Sequence, residues 1–394
     1  MVNFKKEAED IKEELINIRR DLHQHPELGF ELPRTTGVVK SFLTNHNIPY
    51  IETSKMGVCG IIKGTKEDSE KRVIGLRADM DALPIQDMKT CEYKSKEPGK
   101  MHACGHDSHT TILLGVAKLL NQHKDEFSGI VKLFFEPAEE TTGGATHMIK
   151  EGVLDNPNVD CILGLHVDEG TKCGTIKIKK GVVNAASNPY TIKITGQGGH
   201  GAYPDHTVDP VVIASHIVIA LQTIVSREIS PVNPAVVTVG TIHAGTAQNI
   251  IPGEATISGM IRTMTKEDRA FAIQRLTEIA QGIASVSRAK AEVIVEESYP
   301  CLYNEDNCVD LIRESAETIL GKDNVLEQKA PKMGVESFAY FAMERPSAFY
   351  FLGSGNEEKK TTEPAHSNLF NIDEDCIPIG VSIQATAAYN YLTK

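Results

Sequence analysis

Between Glu7 and Leu22 the apolar residues Ile11, Leu15, Ile18 and Leu22 recur at the spacing of one helix face. This predicts an opening surface helix, ended at His25-Pro26 because proline disfavours helix in the residue before it. Further on the rhythm changes. Val73–Leu76, Ile130–Phe135, Cys161–Leu165 and Phe349–Leu352 are short, nearly unbroken apolar runs, separated by helical stretches such as Thr110–Leu120. Runs of that length without alternation read as strands of an α/β sheet covered on both faces.

The middle of the chain has a pattern of its own. Thr191–Ile194 reads as a strand, Asp209-Pro210 caps a helix running to about Val225, and Ala235–Thr241 and Ala255–Ile261 alternate as strands. Thr265-Lys-Glu-Asp268 opens a second helix to about Ser287, and Ala291–Glu297 closes with a strand. The order β-α-β-β-α-β is that of a ferredoxin-like unit, expected here as a domain inserted over 186–299. The flanks, 1–185 and 300–394, would form one discontinuous α/β domain.

Length supports two domains, since 394 residues exceed what one core usually serves. With 41% hydrophobic and 24% charged residues the composition is that of a globular enzyme. A formal charge of -12 without any basic block argues against a nucleic-acid partner. Met1–Glu14 lacks the apolar core of a secretory signal and no apolar run of about 18 residues occurs, so no membrane partner and a cytoplasmic location are expected. The eight cysteines are irregularly spaced, unlike a disulfide framework, and read mostly as buried thiols.

Cys104 is the exception. Met101-His-Ala-Cys-Gly-His-Asp107 places a thiol and an imidazole two residues apart, a pair that converges only on extended or turn backbone. Thiolate and imidazole suit zinc, manganese, cobalt or nickel. Directly after the strand ending at Phe135 comes Glu136-Pro-Ala-Glu139-Glu140, with adjacent carboxylates at the carboxyl end of a strand, where α/β proteins build sites. One acid of such a pair can bind metal while the other serves as general base. His166 ends the strand Cys161–Leu165, and His366 follows the strand Phe349–Leu352 after a loop. Cys104, His106, Glu140, His166 and His366 make five candidate ligands, more than one tetrahedral zinc needs and enough for two divalent ions.

These segments resemble the M20 metallopeptidase family, in particular its amidohydrolase branch of hippurate hydrolases, auxin-conjugate hydrolases and acetyl-diaminopimelate deacetylases. The likeness covers nearly the whole chain: His23-Gln-His25-Pro-Glu27, Arg77-Ala-Asp79-Met-Asp81, Met101–Asp107, Glu136–Glu140, Gly164-Leu-His166, Gly198-Gly199-His200-Gly201, Gln248-Asn249, Arg262-Thr263 and Ala365-His366. It implies a zinc-peptidase-like α/β catalytic domain with an inserted ferredoxin-like α+β lid domain, through which a homodimer forms. It also implies the five ligands named above, Glu139 as base, His200 as oxyanion stabiliser, and Asn249 and Arg262 in segments that hold substrate. Two runs depart from the family. Gly334-Val-Glu-Ser337-Phe has a hydroxyl where an acid is usual, which is expected to bear on substrate range more than on catalysis. Lys89-Thr-Cys-Glu92 is expected to alter a pocket wall.

The expected function is therefore metal-dependent hydrolysis of the amide bond of N-acyl amino acids, with Asp79 orienting a ligand imidazole. A dipeptidase or carboxypeptidase of the same architecture, and a non-catalytic metal-binding module, are the rival readings. His23 and His25, before a proline, are expected to cap or pack. Gly196-Gln-Gly-Gly-His-Gly201 matches a dinucleotide fingerprint literally, but no helix follows to receive a pyrophosphate.

Overall fold

In the computed structural model, which describes residues 2–67, 71–141 and 143–393, the chain divides into two compact units. The first comprises Met1–Val183, Tyr303–Ala330 and Ser337–Lys394, and the second Asn184–Leu302 with Pro331–Glu336. Pro331–Glu336 thus joins the second unit, although it lies within the stretch expected to return to the catalytic part.

The strands of the first unit are β1 (Tyr50–Glu52), β2 (Val58–Lys63), β3 (Val73–Asp79), β4 (Ile130–Glu136), β5 (Cys161–Lys172) and β6 (Ile176–Ile178). Those of the second are β7 (Ala186–Thr195), β8 (Gly199–His200), β9 (Ala235–Ala244), β10 (Ile250–Ile251), β11 (Glu254–Thr263) and β12 (Lys290–Val295). β13 (Val325–Glu327) and β14 (Ser347–Gly355) return to the first. The principal helices are α1 (Phe4–Asp10), α2 (Lys12–Gln24), α3 (His106–Gln122), α4 (Pro210–Thr223), α5 (Lys266–Val286), α6 (Asp306–Leu320) and α7 (Cys376–Thr393).

The first unit is built on an eight-stranded sheet ordered β1-β2-β4-β3-β5-β14-β6-β13. β3 pairs in parallel with β4 and β5, and β14 pairs in parallel with β5, so the centre is a parallel sheet. Every residue of β3 and of β14 is buried, which is why these segments read as unbroken apolar runs. The price of a doubly covered sheet is that any polar residue in it must be paired, and Arg77, Asp79 and Glu136 are. α3 is buried over most of its length, so its polar first turn, His106 to His109, is held inside the protein.

Two expectations are corrected here. The opening helix is interrupted at Ile11, whose φ and ψ of -103° and 6° leave the helical region, although the apolar period runs through it. α3 begins at His106 rather than near Thr110, with Gly105 at its amino-terminal cap in the left-handed conformation (φ 87°). The Cys104–His106 pair therefore spans a turn into a helix, the second of the two backbone forms expected to let it converge.

The second unit has the β-α-β-β-α-β order, with the antiparallel sheet β9-β11-β7-β12. Asp209 caps α4 by accepting from Val211 N–H, and Thr265 caps α5 by accepting from Asp268 N–H. Ile213, Ala214, Ile217 and Leu221 of α4 and Ala272, Leu276, Ala280 and Ala284 of α5 join Ile192, Ile257 and Ile261 of the sheet in one core. Among the described residues, Pro210–Glu228 is the one helical segment long and apolar enough to cross a membrane by composition. Its buried face belongs to the core of this unit.

Candidate metal centre

Loops after the central strands supply the site together with one residue inside a strand: His166, expected to end its strand, lies within β5, which runs on to Lys172. After β3, Asp81 accepts from the N–H groups of both Glu139 (2.8 Å) and Glu140 (3.1 Å), fixing the adjacent carboxylates that follow β4. Ala138, just before them, has φ 56°, and His366 has φ 67°. Left-handed non-glycine backbone costs of order 1–3 kcal/mol per residue and concentrates at functional sites. His366 N–H donates to the Ala103 carbonyl (2.8 Å), tying its loop to the one bearing Cys104.

The five candidate ligands converge. Cys104, His106 and His166 form one group whose ligand atoms all lie within 4.8 Å of one another, and Cys104, Glu140 and His366 form a second. Cys104 Sγ is 3.2 Å from His166 Nε2, His366 Nε2 is 3.5 Å from Glu140 Oε1, and His106 Nε2 is 3.8 Å from that same oxygen. His106 donates from Nδ1 to the Asp81 carbonyl (2.8 Å) and His166 from Nδ1 to the Val167 carbonyl (2.6 Å), which leaves Nε2 of each ring as the lone-pair nitrogen. Nε2 of His106 and Oε1 of Glu140 are buried without a hydrogen-bond partner among the described residues. Such orphaned atoms are costly unless a cation takes them up, and a sulfur, imidazoles and a carboxylate suit a borderline divalent ion. The residues present fit two metal ions with the thiolate common to both groups.

The electrostatics show which groups a cation must deprotonate: burial would lower His106, but Asp79 and Cys104 outweigh it and hold this imidazole well above its ordinary value. Burial, helped by Glu140, raises the Cys104 thiol well above its ordinary value, so a cation is needed to ionise it. Burial, helped by His109, pushes His166 down to about 3, which keeps it neutral and able to ligate. Burial would raise Asp79, but His106, Arg77 and His109 outweigh it and hold this carboxylate well below its usual range.

Asp79, expected to orient a ligand imidazole, lies between two imidazoles. Its close imidazole partner is His109, at 2.6 Å, which is not among the five ligands; His106 Nε2 lies 3.7 Å away. His109 in turn accepts from Val167 N–H (2.9 Å), beside His166. His109, Asp81 and Arg77 were given no role by the sequence; the only signal was that Arg77 and Asp81 fall inside the motif around Asp79 and that His109 follows the motif ending at Asp107. Ser337, expected to bear on substrate range, is buried against Arg77, Glu136 and Glu139. Lys89 is buried too, with Nζ 3.1 Å from Asp87. His23 packs as expected, its Nδ1 2.7 Å from Asp107.

His200, Asn249 and Arg262 are carried by the second unit. His200 and Asn249 are neighbours, joined by the β8–β10 ladder and by Gly201 N–H donating to the Asn249 carbonyl (2.9 Å), and both are exposed. Arg262, on β11, has a buried Nη1 without a partner among the described residues.

An α/β protein with a thiol, imidazole and carboxylate cluster that runs from buried His106 through half-buried Cys104, Glu140 and His166 to exposed His366 falls in the class of metal-dependent hydrolases. Residues 75–390 match the model of peptidase family M20/M25/M40, and the chain belongs to that family. It is 38% identical over 385 residues to the Arabidopsis thaliana protein named IAA-amino acid hydrolase ILR1-like 4, covering 96% of this chain and 86% of that one. N-acetylcysteine deacetylase of Bacillus subtilis is 38% identical over 367 residues, 93% of each chain. A Bacillus subtilis protein described as a dinuclear metal binding peptidase from the M20 family superposes with a TM-score of 0.84 at 33% identity, over 98% of this chain and 99% of that one.

Proposed function

We propose that this chain hydrolyses the amide bond of N-acyl amino acids, releasing a carboxylic acid and a free amino acid. The observation that carries the reading is the pair of ligand groups sharing Cys104 with Glu139 beside them. Cys104, His106, Glu140, His166 and His366 would hold two divalent ions, which when bound lower the pKa of water and polarise a carbonyl. Glu139 takes the proton of the attacking water and passes it to the leaving nitrogen. Its Oε1 accepts from Ser337 N–H (3.0 Å), which holds the carboxylate in one orientation. His200 donates to the developing oxyanion, and Asn249 and Arg262 contact the substrate. Asp79 acts through His109.

In this reading 1–185 and 300–394 make the catalytic domain, and the ferredoxin-like 186–299 is a lid that also forms a homodimer. Support for the dimer comes from β9, an edge strand with Val236 and Ile242 exposed, and from Val212 and Ile219, exposed one above the other on α4. A reduced cytoplasm suits the free Cys104 thiol.

The test is apoprotein reloaded separately with manganese, zinc, nickel and cobalt, then assayed for amine release from acetyl, benzoyl and indolyl amides of amino acids and from dipeptides. Metal-dependent release, faster from acyl amino acids than from dipeptides, is expected. Cleavage of dipeptides alone, or no turnover with any ion, would overturn the proposal. Glu139→Gln should bind the same number of ions and lose turnover.

A further inference from the structure

Ser337 stands at the junction between the candidate base and a buried ion pair. Arg77 donates from Nε to Glu136 Oε2 (2.6 Å) and from Nη1 to Asp79 Oδ2 (2.7 Å), and all three side chains are buried. The Ser337 hydroxyl accepts from Arg77 Nη2 (2.8 Å) and donates to Glu136 Oε1 (2.6 Å). Its own backbone N–H donates to Glu139 Oε1 (3.0 Å). One side of the residue is therefore anchored by two charge-assisted hydrogen bonds, and the other side presents an amide to Glu139.

The chemistry of the anchor is specific. A group wedged between a guanidinium, which only donates, and a carboxylate, which accepts, must itself both accept and donate. A hydroxyl does so. Alanine removes both bonds and leaves two buried charged groups each short of a partner. Aspartate accepts from Arg77 but cannot donate to Glu136, so it would set two carboxylates against each other, and ionising both in one buried site is unfavourable.

We infer that Ser337 is a positioning residue for Glu139: its hydroxyl, held by Arg77 and Glu136, fixes the backbone N–H that orients the base. The inference rests on the reading of Glu139 as the base. Substrate positions are not involved, so a change at Ser337 acts on kcat across all substrates, whereas a pocket wall would act on KM and do so differently for each acyl group.

The experiment compares Ser337→Ala, Ser337→Asp and the double variant Glu136→Gln/Ser337→Asp with the parent enzyme, in the metal-loaded form, over the acyl amino acid panel. In the double variant the Gln amide can donate to the new carboxylate, and Arg77 has two acid partners again, Asp79 and the new carboxylate. Expected for Ser337→Ala is a kcat lower by about 10- to 100-fold, the scale of a small misplacement of a reacting group, with KM within about twofold and the ion content unchanged. Ser337→Asp should be worse, and the double variant should recover kcat above either single change at Ser337. Where Ser337→Ala does not fold, the comparison of Ser337→Asp with the double variant carries the test. Wild-type kcat in Ser337→Ala, substrate-dependent changes in KM, or no recovery in the double variant would overturn the inference. Glu139→Gln separates the two levels: full turnover in it removes the base reading itself, whereas an inactive Glu139→Gln beside a fully active Ser337→Ala removes only the role of Ser337.

Discussion

The two units put their polar residues to different use. In the first, the polar side chains of interest sit at the ends of strands buried on both faces, and each is fixed by a partner: Asp81 to two amides, His106 and His166 to carbonyls, Arg77 to two acids. In the second, the helices and strands alternate apolar-in and polar-out around one small core, and His200, on a short strand, and Asn249, in the turn before its partner strand, lie exposed. Buried and bonded groups are preorganised, which suits holding ions and orienting a base. Exposed groups can meet a substrate without losing internal partners, which suits the contacts proposed for His200 and Asn249.

Two glycine-to-alanine changes mark the extremes of that contrast. Gly105 lies between Cys104 and His106 at φ 87°, and an added Cβ would come within 2.4 Å of Val167 Cγ2. Left-handed strain and overpacking together predict a loss of about 2–6 kcal/mol in Gly105→Ala. Denaturant unfolding and metal analysis should show lower stability and fewer bound ions.

A smaller effect is expected for His200→Ala. Under the proposed oxyanion role it should lower kcat by about 10²- to 10³-fold with little change in KM and none in ion content. Equal loss in kcat and gain in KM across the panel would instead assign His200 to ground-state binding.

Acid should act on the metal centre of the first unit. Burial and Glu140 raise the Cys104 thiol, so at neutral pH ion uptake must displace a proton, and affinity falls as pH falls. Titration of apoprotein with zinc at several pH values should show proton release on binding and weaker binding at lower pH. Affinity independent of pH would remove Cys104 from the ligand set.

The smallest change has the opposite sign. Gly282 is exposed inside α5, and a Cβ there meets nothing within 4 Å. Gly282→Ala should stabilise by up to about 1 kcal/mol, read as a higher unfolding midpoint with activity unchanged.

The same contrast explains what could be read from the sequence. Apolar runs followed at once by polar residues marked β3, β4 and β5 and the site at the ends of β3 and β4, whereas β5 continues past His166 to Lys172, which its apolar run ending at Leu165 did not show. The second unit was legible from its caps, Asp209 and Thr265, and from its alternation. What stayed hidden were pairings set by rotation and by distance along the chain. Asp79 meets His109 because of how the first turn of α3 faces β3, and Ser337 meets Glu136 across 201 residues. The break at Ile11 was hidden as well, since the apolar period continues through it.

The most direct test of the metal centre is anomalous diffraction from crystals of zinc-loaded protein, recorded on both sides of the zinc absorption edge. Two peaks are predicted, one among Cys104, His106 and His166 and one among Cys104, Glu140 and His366, with Glu139 bound to neither. A single peak, peaks elsewhere, or Glu139 in direct coordination would contradict the account.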